Sequence, residues 1–179
     1  NGNALGNCIL WMDMRGASHL KKQLGGLINI DGADIFKVLR FVSLTGGMPN
    51  HAGKDPAGHM LFIRDTKPEI YAKTHKFLNV LDYLNLRLTG EFVASFDSIV
   101  TSWVTDNRDP NELRYNDGLI SILGIDRTKL PDVVSCSSVI GSLKAEVASA
   151  LGLSNDVKVI AGSIDNTAAA IGSGAVEDF

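Results

Sequence analysis

Residues 157–176 read VKVIAGSIDNTAAAIGSGAV, and this stretch decides the fold. Val157-Lys-Val-Ile-Ala161 is rich in β-branched residues and bounded by Asn155-Asp156 and Gly162, which predicts a buried strand. A short turn follows, and Asp165-Asn166-Thr167 opens a helix running through Ala168-Ala-Ala-Ile171. Strand, turn and helix in that order mark an α/β protein. Ligands of open α/β sheets meet the carboxyl ends of the strands, so Asp165 stands where chemistry is usually done. The helix dipole favours a carboxylate in that first turn by about 0.3–1 kcal/mol. Ala168, Ala169, Ala170, Gly172 and Gly174 give the helix a thin face suited to close packing. Two plainer readings compete. Asp is a favoured residue at helix starts, and on local pattern alone Asp165 reads as a cap. Gly172-Ser-Gly174 suggests a phosphate loop, but it follows the helix and lacks the P-loop lysine, so that reading is rejected.

Helices dominate the chain before this stretch. Cys8-Ile-Leu-Trp-Met12 is a short apolar run that predicts a buried strand or strand end. Ala17, Leu20, Leu24 and Leu27 recur at helical steps, predicting a helix from about Gly16 to Leu24 closed by Gly25-Gly26. Residues 31–44 read as a second helix with Ile35, Val38, Leu39 and Val42 on one face, followed by a loop at Thr45–Asn50. A short helix is expected over 57–65, and Pro68 suits a first helical position. Residues 77–88 carry Leu78, Leu81, Leu84 and Leu88 on one face and stop at Gly90. Further helices are expected over 115–123, ended by Gly124, and over 143–151, ended by Gly152. No internal repeat or low-complexity segment interrupts them.

Bulk properties exclude several classes. The 179 residues are 45% hydrophobic and 21% charged, ordinary values for a globular protein, and long enough for a real core. A net charge of −3 gives no reason to expect nucleic acid or anionic lipid as a partner. No apolar run approaches the roughly 20 residues that span a bilayer, and the opening residues lack the basic and apolar regions of a signal peptide. Cys8 and Cys136 read as reduced cytosolic cysteines, although they could pair. No histidine pair has metal-ligand spacing, so no metal site is expected in this chain. The class expected is a cytoplasmic globular domain. The start at Asn1-Gly-Asn and the end at Glu177-Asp-Phe179 both read as cuts through something larger.

Val159, Gly162, Asp165, Asn166, Ala169, Gly172, Gly174, Ala175 and Val176 together resemble the motif that closes the N-terminal domain of FGGY carbohydrate kinases. Three further segments are similar to that family in the same order. Trp11-Met-Asp13-Met-Arg15 resembles W-x-D-x-R. Pro68-Glu-Ile-Tyr71, Asp82-Tyr83-Leu84 and Arg87-Leu-Thr-Gly-Glu91 resemble "P-E-x-Y … D-Y-L … R-L-T-G-E". Ile125-Asp126, Leu130-Pro131 and Ile140-Gly141 resemble "G-I-D … L-P … I-G". The P-E-I-Y and D-Y-L-N-L-R-L-T-G runs lean towards the xylulokinase branch.

The resemblance implies a ribonuclease H-like α/β fold of the actin-like ATPase superfamily, here an N-terminal sugar-binding domain incomplete at its own N-terminus. It implies transfer of the γ-phosphate of ATP to a sugar hydroxyl, with magnesium, by the full-length protein. Asp165 matches the position that accepts the hydroxyl proton. Trp11, Asp13, Arg15 and Asn166 are implied substrate-binding residues. The plainer alternatives are a salt bridge for Asp13 and Arg15, core packing for Trp11, and completion of the helix start for Asn166. His51 and His59 fall in a loop region that faces substrate in the family. Asp82, Tyr83 and Arg87 fit a helix-locking role, and Asp97-Ser98 reads as a structural turn. The sequence departs from the family where His59 and Phe62 stand in place of a Lys and a Trp, and at Ile164, where a small residue is common. The family's D-x-G-T phosphate loop and its C-terminal ATP domain are absent from these 179 residues. The fragment alone is therefore expected to be inactive, and its open sheet edge predicts self-association or a partner that completes the sheet. Other members of the scaffold (ribulose, gluconate, glycerol and rhamnulose kinases), a non-kinase ATPase and a sugar-binding module are the competing functions.

Overall fold

A computed structural model describes residues 2–175; Asn1, the motif's closing Val176 and residues 177–179 lie outside the described residues. In chain order the elements are α1 (Ala17–Leu24), β1 (Asn29–Ile30), β2 (Ala33–Asp34), α2 (Ile35–Thr45), α3 (Pro56–Thr66), α4 (Pro68–Lys73) and α5 (Val80–Thr89). Then come β3 (Val93–Ser95), α6 (Phe96–Ile99), α7 (Asp117–Leu123), β4 (Asp132–Val134), β5 (Val139–Ser142), α8 (Ala145–Leu151), β6 (Lys158–Ile160) and α9 (Asp165–Gly172). The class is mixed α/β. Two compact units share these elements: one is built from Asn3–Phe77 and Ile99–Pro131, the other from Leu78–Ser98 and the chain from Asp132 onward.

The first unit is a helical cluster. Leu20 and Leu24 stand one turn apart on α1 and are fully buried against α3 and α7. Phe41 and Leu44 of α2, Ala57, Met60 and Leu61 of α3, and Leu119, Ile120 and Leu123 of α7 complete the same core. Helix ends are satisfied locally. Asp34 caps α2 by accepting from Phe36 N and Lys37 N at 3.0 and 3.3 Å. Lys37 Nζ donates at 2.7 Å to both Gln23 O and Gly25 O, satisfying carbonyls that the end of α1 leaves over. Asn116 caps α7 through Leu119 N.

Three expectations for this unit change. Cys8–Met12 is not a strand: Asp13 N donates to Leu10 O at 2.9 Å, closing a turn, and Leu10, Trp11 and Met12 are exposed. The second helix starts at Ile35, because residues 29–34 fold into the β1–β2 hairpin through Asp31 and Gly32, both at positive φ. Its buried face is Val38, Phe41 and Leu44, while Leu39 and Val42 are exposed. The aliphatic stripe leaves out Phe41, whose fully buried side chain lies in the core.

The second unit holds the sheets. β3 pairs with β4 in parallel, and β5 pairs with β6 antiparallel with a register shift near Gly141. None of β3, β4 and β5 was expected, because runs of three or four residues carry little periodicity. The strand expected over 157–161 shortens to β6, and it is not buried: Lys158 and Ile160 are exposed. Helix α5 packs against β3, β5 and β6. It turns Asp82, Asn85 and Leu86 inward and leaves Leu84 exposed, against the expected leucine face. Polar side chains tolerate that position because each finds partners. Asp82 accepts from Ser95 N at 3.1 Å and Ser98 Oγ at 2.7 Å, and Asn85 Nδ2 donates to Ala161 O at 2.8 Å. Burial pushes the Asp82 carboxyl above the ordinary carboxylate range, against the pull of those hydrogen bonds. The locking role expected of Asp82 is what this geometry provides.

Cys8 and Cys136 are both free thiols. Among the described residues no helix is long and apolar enough to cross a membrane.

Candidate active site

The five expected site residues fall in both units. Trp11, Asp13 and Arg15 belong to the first, Asp165 and Asn166 to the second.

In the first unit the segment before α1 is held by its own side chains and by α3. Asp13 Oδ1 accepts from Arg15 N at 2.9 Å, an Asx-type turn. Arg15 Nε and Nη2 donate to the same carboxylate at 2.6–3.0 Å. These bonds, led by the Arg15 side chain, lower the Asp13 carboxyl to about 2. Three N–H groups of Arg15 thus engage both oxygens of the Asp13 carboxylate. The carboxylate and the guanidinium hold each other, the salt bridge of the plainer reading.

His59 Nε2 donates to Asp13 O at 2.9 Å, and the Phe62 ring lies 4.6 Å from the Arg15 guanidinium carbon. His59 and Phe62, three residues apart on α3, thus clasp both ends of the Asp13–Arg15 pair. The Phe62 contact was missed, although its spacing from His59 carries the signal. Trp11 is 73% exposed, which removes the reading of a packed core tryptophan. Lys54 Nζ stands 5.8 Å from the Trp11 ring.

Glycine makes this approach possible. A Cβ on Gly53 would lie 2.0 Å from Ala17 N, and one on Gly16 would lie 2.6 Å from Gly53 O and from the Gly58 carbonyl carbon. Gly16, Gly53 and Gly58 let the 50–53 loop and α3 close onto the start of α1, where Arg15 sits. A recess of about 300 Å³ lies elsewhere in this unit, lined by Ile30, Asp31, Ile35, Val38, Met48 and His51. It includes none of the five expected site residues.

In the second unit β6 leads through Ala161 to α9. Ala161 N and Gly162 N donate to Ser138 O and Cys136 O, each at 2.9 Å. Asp165 is the first residue of α9 and is exposed, as is Asn166. The cap position belongs to Ile164, so Asp165 is not the N-cap that the plainer reading made it. Its Oδ1 accepts from Asn166 N at 2.8 Å. Ala168, Ala169, Ala170 and Gly172 are exposed, so the thin face does not pack among the described residues.

The family described as "FGGY family of carbohydrate kinases, N-terminal domain" matches residues 1–172. The chain belongs to the FGGY family of carbohydrate kinases. A xylulose kinase of Lactococcus lactis is 28% identical over 171 residues, covering 95% of this chain and 31% of that protein. A xylulose kinase of Escherichia coli K12 is 34% identical over 122 residues, covering 68% of this chain and 24% of that protein. Among solved structures, a Plasmodium falciparum glycerol kinase with ADP superposes with a TM-score of 0.79 at 21% identity, covering 99% of this chain and 33% of the other; it speaks to the fold alone. The chain thus spans about a quarter to a third of the length of these proteins.

Proposed function

We propose that the longer protein to which this chain belongs transfers the γ-phosphoryl group of ATP to a hydroxyl of D-xylulose, with Asp165 as general base. The observation that supports this reading is the family match over residues 1–172, together with the exposed carboxylate of Asp165 at the start of α9. Asp165 Oδ1 accepts from Asn166 N, and Oδ2 would take the proton of the attacking hydroxyl. Trp11, Asp13, Arg15 and Asn166 are the residues proposed to contact the sugar. Phosphoryl transfer depends mostly on such positioning and on charge stabilisation.

Among the described residues no group of three or more His, Cys, Asp or Glu side chains converges to hold a metal ion. ATP and Mg2+ are the co-substrate and metal that this reading implies, with their sites mainly beyond this chain. The same reading takes the chain as a partial N-terminal sugar-binding domain of the ribonuclease H-like, actin-like superfamily, in a cytoplasmic enzyme.

The test is ADP release by the full-length protein over a panel of sugars and polyols. Turnover with one ketopentose is expected. Turnover confined to another substrate (ribulose, gluconate, glycerol or rhamnulose) would establish the second reading, which His59 and Phe62 favour by standing where the family carries Lys and Trp. Sugar binding without turnover would mark a binding module instead.

We also expect the 179-residue chain alone to be inactive and to self-associate. Phe36, Leu39 and Val42 on α2, and Ile160 on β6, are all about half exposed or more. Size-exclusion chromatography should show a species larger than a monomer. A clean monomer at high concentration with a cooperative melt would remove this expectation.

A further inference from the structure

We propose that Asp97 is a positioning residue for Asp165, fixing the first turn of α9 from outside the helix; this rests on Asp165 acting as the base. Helix α9 begins without a side-chain cap of its own, since Ile164 at the N-cap has no acceptor to offer. Asp97 supplies what is lacking. Its Oδ2 accepts from Ile164 N at 2.7 Å and its Oδ1 accepts from Thr167 Oγ1 at 2.8 Å. These two bonds bracket Asp165 along the chain, so one carboxylate sets both the position and the rotation of the turn that carries the base.

Asp97 is itself held. It sits on α6 between Ser95 and Ser98, both fully buried. Ser98 N donates to Ser95 Oγ at 3.1 Å, and Ser98 Oγ donates to Asp82 Oδ2 at 2.7 Å. Asn79 Nδ2 donates to Ser98 O and reaches Ser98 Oγ, each at 2.9 Å. Helix α5 therefore grips the same feature from two sides. Asp82 fixes the turn bearing Asp97, and Asn85, on the same face of α5, holds Ala161 O just ahead of α9. Every link in this chain is a hydrogen bond between groups of the second unit.

The experiment uses the full-length protein with its best sugar and compares Asp97→Ala, Thr167→Val, Thr167→Ser and Asp165→Asn, alone and in pairs. A displacement of about 1 Å in a catalytic group can cost on the order of a hundredfold, so Asp97→Ala should lower kcat by about 10- to 100-fold, with KM for sugar and ATP little changed. Thr167→Val, which keeps Asp97 and loses one of its two bonds, should give a smaller loss in the same direction. Thr167→Ser keeps the hydroxyl and should restore activity to near the parent value. Adding Asp97→Ala to Asp165→Asn should lower kcat no further, because a residue that acts only through another has no effect once that other is gone.

Equal losses in both backgrounds would show that Asp97 supports the fold generally, and the proposal would fall. So would parent-like kcat in Asp97→Ala and Thr167→Val with an inactive Asp165→Asn, which leaves the base itself standing. Should Asp97→Ala not fold, the Thr167 pair decides between these outcomes. An active Asp165→Asn would overturn the base and this proposal together.

Discussion

Asp165→Asn in the full-length protein is expected to lower kcat by at least about a hundredfold, the contribution typical of a positioned general base. The substitution is nearly isosteric, and the amide oxygen can still accept from Asn166 N, so the start of α9 should persist. What disappears is a group able to take the hydroxyl proton. KM for the sugar should change little, since the loss falls on an interaction made as the hydroxyl is deprotonated. ADP release under saturating sugar and ATP measures the effect, and a thermal melt matched to the parent shows that the fold is unchanged. Parent-like turnover in the variant would remove Asp165 from the mechanism while leaving the family assignment intact.

Gly53→Ala is expected to destabilise the first unit by about 2–5 kcal/mol. A left-handed residue with a Cβ costs roughly 1–2 kcal/mol, and an overpacked contact adds roughly 1–3 kcal/mol. Gly53 has φ of +67°, and its Cβ would lie 2.0 Å from Ala17 N, a backbone atom that cannot swing aside. Gly46 is the control. Its φ is +80° with nothing within 4 Å of the added carbon, so Gly46→Ala should show the left-handed cost alone, about 1–2 kcal/mol. Both tryptophans, Trp11 and Trp103, lie in the first unit, so fluorescence during denaturant unfolding reports on it directly. Equal midpoints for the two variants would show that the approach of the 50–53 loop to α1 is not tightly constrained.

The leucine stripes show where linear reading fails. Leu84 sits at a helical step from Leu81 and Leu88, yet it is exposed, while Asp82 and Asn85 are buried. Nothing local to α5 announces this. Asp82 is stable inside because Ser95 and Ser98 meet it from 13 and 16 residues away, and Asn85 because Ala161 O lies 76 residues on. The short strands β3 and β4 are likewise defined by pairing to each other, not by their own three residues.

The sequence by itself determined what depends on local chemistry and motif. Helices α1, α7, α8 and α9 follow from apolar spacing and glycine stops, and the family from motifs kept in order. It also singled out Asp165 at the start of α9. Only the tertiary structure decided how the candidate residues are held. His59 and Phe62 clasp Asp13 and Arg15, the three glycines allow that approach, and Asp97 anchors the turn of Asp165. Helix starts and stops are set within a few residues by backbone hydrogen bonding, which a sequence displays. Side-chain partners are set by which distant segments the core draws together, and that is fixed only when the chain has folded.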